Sequence, residues 1–148
     1  MTKDILKDLI EQNRTTCDFT YNAITQENST LKLNEDTASI GFIFRHLGEI
    51  MHLLLQFLGV PTEVQNTTMG QTDNGEVYNR EGSKILVDEG YQKLYGLLES
   101  LSEEEWAEQI ETPFFGQISR AKLLGHILYH NTYHCGQITL TLKRGKQM

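Results

Sequence analysis

The chain has 148 residues, with 13 basic and 20 acidic side chains and a formal charge of −7. That length predicts one domain over residues 1–148, large enough to bury a core without a disulfide or a structural metal. The acidic balance argues against non-specific binding to nucleic acid or to anionic membranes, so neither is expected as a partner. The two cysteines, Cys17 and Cys135, lie far apart and form no CxxC pair, which argues against a disulfide scaffold and fits a reducing compartment. The N-terminal "MTKDILKDLIEQN" is charged and amphipathic rather than a signal peptide, and no run approaches the roughly 18 consecutive apolar residues of a membrane span. A cytoplasmic location is expected.

In chain order, Leu6, Leu9, Ile10, Cys17, Thr20, Tyr21 and Ile24 recur at three-and-four spacing and predict an amphipathic helix over about Thr2 to Gln26. "NEDTASIG" then offers Asn34, Asp36 or Thr37 as the N-cap of a strongly apolar helix that runs to about Leu58 and stops at "GVPT". Val60 to Gly82 is polar, rich in Asn, Thr and Gly, and reads as a long connection of the kind that often carries function. A third helix is predicted from about Ser83 to Leu101, with Leu86, Leu94, Leu97, Leu98 and Leu101 inward. "SEEEW" reads as a capping box of Ser102 with Glu105 that starts a short extra helix. "IETPFFGQIS" reads as a loop, and the last helix as about Ser119 to Arg144. Its "LKRGK" end suits the negative pole of the helix dipole. Ser119 opens a formal S-x-x-K match in "SRAK", but the partner motifs are missing and its position is that of an N-cap. Four long helices predict an all-α four-helix bundle. The long connection between the second and third helices would let those two run parallel.

The stretch "GHILYHNTYHCGQI", Gly125 to Ile138, carries His126, His130 and His134, each four residues after the last. On a helical wheel His130 and His134 lie about 40° apart. Leu123, Ile127 and Ile138 lie on the same side, with Gln137 close by. His126 sits further round, toward Tyr129 and Tyr133. In "SIGFIFRHLGEIMHLLLQFLG" the wheel places His46 amid Phe42, Ile43, Ile50, Leu53 and Phe57. His52 falls on the opposite, polar face with Arg45, Gly48 and Gln56.

Two imidazoles at i and i+4 on one helix face can share a metal ion, and a third from a facing helix completes three nitrogen ligands. A buried histidine by itself is commonly just a hydrogen-bonded core residue. A pair with a third on a second apolar face favours metal, because a metal and outer hydrogen bonds would satisfy imidazoles that are otherwise costly to bury. No Glu stands between His130 and His134, so a zinc-protease "HExxH" site is excluded. Glu49, three residues after His46, reads as an acceptor behind a ligand, a general base or a surface ion-pair partner. Gln137 reads as a hydrogen-bonding group near the metal or a buried structural amide. Cys135 turns about 100° away from the metal side, and no chemistry is expected of it or of Cys17. Imidazole ligands suit zinc, nickel, iron or copper without choosing among them.

"HILYHNTYHCGQI" resembles the C-terminal signature of the DinB-like family of damage-inducible, metal-dependent proteins, and "SIGFIFRHLGEIMHLL" resembles its second helix. Length and helix order extend the resemblance over most of the chain. Cys135 departs from it, since that position is often basic. The resemblance implies a four-helix bundle of up-down-down-up topology, often dimeric, with a divalent metal held by His46, His130 and His134, the three that the wheel also selects. His126 and Gln137 would stand beside the metal or line the pocket. The family includes thiol-dependent S-transferases. The implied activity is transfer of a low-molecular-weight thiol to an electrophilic small-molecule substrate; Glu49 is the residue expected to accept the proton, unless the metal alone suffices. A metal-dependent hydrolase and a non-catalytic metal-binding stress-response protein are the alternatives. Because ligation needs neutral imidazole, metal affinity is expected to fall as pH drops through the acidic range.

Overall fold

In the computed structural model, which describes residues 1–148, helix α1 (Thr2–Ala23) buries Leu6, Ile10, Asn13, Cys17 and Tyr21 as one stripe. This is the spacing of a helix with a single core-facing side. Helix α2 (Ile40–Phe57) starts at Ser39, whose hydroxyl accepts from the Phe42 amide. Asn34, Asp36 and Thr37 instead shape the preceding turn, where the Thr37 hydroxyl accepts from the amides of Leu33 and Asn34. Asn79 caps helix α3 (Arg80–Ser100) by accepting from the Gly82 amide. Ser102 and Glu105 form the expected capping box on the short helix α4 (Glu103–Ala107).

The segment read as a loop is a β-hairpin, strands β1 (Gln109–Thr112) and β2 (Gly116–Ser119), paired antiparallel. Four residues per strand carry too little alternation to be legible in the sequence. The turn closes through Thr112, whose hydroxyl donates to the Gly116 carbonyl and accepts from the Phe115 amide. It also uses Gly116 at φ 63°, a conformation glycine adopts without strain. Ser119 then caps helix α5 (Arg120–Arg144) by accepting from the Lys122 amide, and Lys143 and Arg144 occupy its last turn.

Helix directions follow from which residues meet. Along α1 and α5 contacts advance together: the Asn13 side chain donates to the Leu128 carbonyl, and Thr20 pairs with Thr139. Between α1 and α3 they run oppositely, from Arg14 with Asp88 to Tyr21 with Arg80. Between α2 and α3 they again advance together, from Gly48 beside Leu86 to Met51 beside Gly90. The four long helices therefore run up, down, down, up, and the segment after α2 travels back along the bundle to begin α3. Asn13, Tyr91 and Asn131 join α1, α3 and α5 through a buried network in which the Tyr91 hydroxyl donates to the Asn13 side-chain oxygen at 2.7 Å.

On the wheel's polar face of α2, Gln56 is exposed and Arg45 partly so, but Gly48 and His52 are buried. His52 is completely buried, its Nε2 bonded to the Leu86 carbonyl at 2.9 Å and its Nδ1 3.1 Å from the Lys93 ammonium. The reason is α3, which covers this side of α2 at short range. An added Cβ at Gly48 would lie 2.7 Å from the Leu86 Cβ. Gly48→Ala is therefore expected to destabilise the fold by about 1–3 kcal/mol through overpacking, although alanine is the better helix former. Urea denaturation measures this, and an unchanged or higher midpoint would show that α2 and α3 separate without loss.

Candidate metal centre

Helices α2 and α5 run antiparallel, and this brings His46 opposite His130 and His134. One ring nitrogen from each lies within 4.8 Å of the others. The Nε2 atoms of His46 and His130 are 3.3 Å apart. Ligands about 2.0–2.1 Å from a tetrahedral ion stand roughly 3.3–3.4 Å from each other, so this pair already has the spacing of two ligands to one ion.

Hydrogen bonds fix which nitrogens face the centre. The Thr68 hydroxyl donates its single proton to Glu49 Oε2 at 2.7 Å, so it accepts from His46 Nδ1 at 3.1 Å. The Gln137 side-chain oxygen accepts from His134 Nδ1 at 2.6 Å. In both rings the proton is held on Nδ1 and the Nε2 lone pair is left for a metal, which is how outer partners orient ligating histidines. The residues present therefore fit a divalent ion with three protein ligands and at least one open position.

Burial and then the neighbouring His134 hold the His46 pKa down to about 4. Burial and then the adjacent histidines hold His130 to about 3, and burial lowers His134 as well. The set is neutral at pH 7 and ready to ligate. All three shifts are downward, so protons displace metal at lower pH than ordinary histidines near about 6.5 would allow, and the fall in affinity expected of an all-histidine site moves toward more acidic pH. Affinity should collapse as pH approaches about 4. Calorimetric titration across this range checks the prediction, and a steep loss already near the ordinary histidine pKa would contradict it.

Glu49 is neither at the surface nor free. Its side chain is fully buried and receives five donors: Arg45 Nε at 2.7 Å, and the amides and hydroxyls of Thr67 and Thr68 at 2.7–3.1 Å. Burial alone would raise its pKa, but the hydrogen bonds from Arg45, Thr68 and Thr67 outweigh it and hold the carboxyl below its ordinary value. With both oxygens engaged, the carboxylate is poorly placed to accept a substrate proton. It anchors the connecting segment to α2 and, through Thr68, sets the His46 ring. Thr68 itself was not singled out in the sequence, because only the returning connection places it beside α2.

His126 packs on Phe115 with ring centroids 4.4 Å apart and lies 6.3 Å from His130. Gln137 is exposed rather than a buried amide. Cys17 and Cys135 are buried free thiols, and neither lines the two cavities that border the histidines. One cavity, of about 380 Å³, includes His46 and His134 with Thr37, Gln71, Gln137 and Thr141. The other, of about 230 Å³, includes His46, His126 and His130 with Ile50, Leu53, Leu54, Met69, Phe114 and Phe115.

An up-down-down-up four-helix bundle with three histidines converging between its second and last long helices defines a class of protein. The chain belongs to the DinB family, whose model matches residues 1–145. No curated protein matches the sequence. YfiT from Bacillus subtilis, described as a probable metal-dependent hydrolase with an unusual four-helix bundle topology, is similar at 15% identity, with a TM-score of 0.72 over 96% of this chain and 86% of its own. A DinB-like protein from Bacillus cereus ATCC 10987 is similar at 15% identity, with a TM-score of 0.66 over 92% of this chain and 89% of its own. The colibactin self-resistance protein ClbS, in a complex with double-stranded DNA, is similar at 16% identity, with a TM-score of 0.67 over 95% of each chain. At these identities the likeness is one of fold. The ClbS complex overturns the expectation that nucleic acid is excluded as a partner: net charge sums the whole surface, whereas binding depends on the local field of one face. No helix is long and apolar enough to cross a membrane.

Proposed function

We propose that this protein is a metal-dependent enzyme that uses His46, His130 and His134 as ligands to a divalent ion and transfers a low-molecular-weight thiol to an electrophilic small molecule. The observation that carries the reading is the convergence of three neutral imidazoles at a point bordered by two cavities. A divalent ion there supplies positive charge that favours the anionic form of a thiol or of water. Thr68 and Gln137 hold the ligand rings, Glu49 holds Thr68, and the two cavities leave room for two reactants. The thiol gives up its proton to solvent, and its sulfur forms a bond to the electrophilic carbon. The electron pair of the breaking bond departs with the leaving group or, in an addition, passes to the neighbouring carbon, which takes up a proton. Neither Cys17 nor Cys135 reaches the cavities, so the nucleophilic sulfur comes from outside the chain.

The description of YfiT favours a second reading, in which water replaces the thiol and the reaction is hydrolysis. The deciding experiment uses protein purified without a histidine tag, loaded with zinc, nickel or iron, and offered common cellular thiols with model electrophiles, or ester and amide substrates alone. Thiol conjugation faster than with free metal, and retained in Cys17→Ser and Cys135→Ser, supports transfer. Turnover without thiol supports hydrolysis. Bound metal with neither activity leaves a metal-binding protein.

A further inference from the structure

The two cavities beside the histidines differ in chemistry, and their boundary is built from consecutive turns of the same elements. On α2, Ile43 lines one side of His46 and Ile50 the other. On α5, Gln137 and His134 line the first cavity, and His130 and His126 the second. In the connecting segment Thr68 faces the first cavity and Met69 the second. The first offers the side-chain amides of Gln71 and Gln137 and the Thr141 hydroxyl as an acceptor beside its apolar wall, while the Thr37 hydroxyl is engaged in its own turn. An adjoining cavity shares Thr37 and Gln71 and carries Lys32, Glu35, Asp36 and Asp73. The second is walled by aliphatic, methionine and aromatic side chains and by histidine rings.

We propose that this partition sorts the two reactants: the polar thiol occupies the Thr37–Gln71–Gln137 cavity, and the electrophile carries an aromatic or branched aliphatic group that occupies the Leu53–Met69–Phe115 cavity. The inference rests on the proposed transfer reaction and names its substrate class. A reactant rich in amide, ammonium or carboxylate groups would leave them unsatisfied in the second cavity, at about 1–3 kcal/mol each, so it belongs in the first. An aromatic group finds in the second the apolar surface that drives its burial. The volume of about 230 Å³ exceeds the roughly 150 Å³ of an apolar cavity that holds benzene, so a six-membered ring with a short substituent fits. Phe114 and Phe115, at the hairpin turn, are half-exposed and close this cavity from outside, which gives the hairpin a role in selecting the substrate.

The test reads binding rather than turnover. Indole and N-acetylcysteine amide are each titrated into isotopically labelled protein, metal-free and zinc-loaded, and followed by NMR. Indole is expected to shift the methyl signals of Ile50, Leu53, Leu54 and Met69 in both forms. Its affinity should fall about tenfold in Phe115→Ala, the scale of losing several apolar contacts, and hold in Gln71→Leu. The thiol is expected to shift the Gln71 and Gln137 side-chain amides of the zinc-loaded protein, and to weaken in Gln71→Leu but not in Phe115→Ala. Phe115 and Gln71 are both exposed, so the variants should fold, and their circular dichroism confirms it. Indole that binds neither form, or either probe shifting both sets of signals equally, overturns the inference. If indole fills its cavity while the thiol fails to bind the zinc-loaded protein, the apolar specificity stands and the thiol-transfer reading falls.

Discussion

His46→Ala, His130→Ala and His134→Ala are each expected to lose metal affinity by more than about 100-fold, since removing even an outer partner of a ligand costs about 10–100-fold. Each supplies one of three converging nitrogens, and no other histidine, cysteine or carboxylate belongs to that cluster. His52→Ala is the informative contrast. It should keep the metal and lose stability, by about 2–4 kcal/mol, because removing the fully buried ring opens a cavity between α2 and α3. The Leu86 carbonyl would also lose its side-chain donor, and the part-buried Lys93 ammonium the His52 nitrogen. Elemental analysis of the four variants together with urea denaturation separates the two outcomes. Equal metal content in all four would remove the assignment of the site.

Glu49→Gln tests what stands behind the ligands. The native carboxylate accepts all five of its hydrogen bonds. An amide presents two of its own hydrogens to those donors and leaves the Arg45 charge without its partner. A loss of about 3–5 kcal/mol follows from breaking a buried pair on one side only. Release of Thr68 from Glu49 frees the His46 ring, so metal affinity should fall by a further 10–100-fold. Hydrogen exchange at the Thr67 and Thr68 amides gives a local readout, with faster exchange expected in the variant. If Glu49 were instead the proton acceptor of the reaction, the same substitution would abolish turnover while leaving stability and metal content intact.

Much of this molecule was legible along single helices. Periodicity located all four long helices to within a few residues, and the pattern of Ser102 with Glu105 located the short one. The wheel placed His46, His130 and His134 on facing sides because ligand spacing at i and i+4 is a property of one helix and is present before any folding partner is known. The hairpin escaped because its strands are too short for a period to show. His52 was misplaced for a different reason: it shares a face with Arg45 and the exposed Gln56, while the close approach that Gly48 permits is a fact about α3.

The sequence by itself therefore determined the helices, their apolar faces and the three candidate ligands, since each is encoded in residues near one another along the chain. Tertiary structure alone decided what surrounds them. Thr68 lies 22 residues from His46 and reaches it only because the connection after α2 returns along the bundle. That return also turns Glu49 from a possible surface acid into a buried anchor. The two cavities exist only where α2, α5, the connection and the hairpin meet, and contacts between segments that distant leave no local period to read.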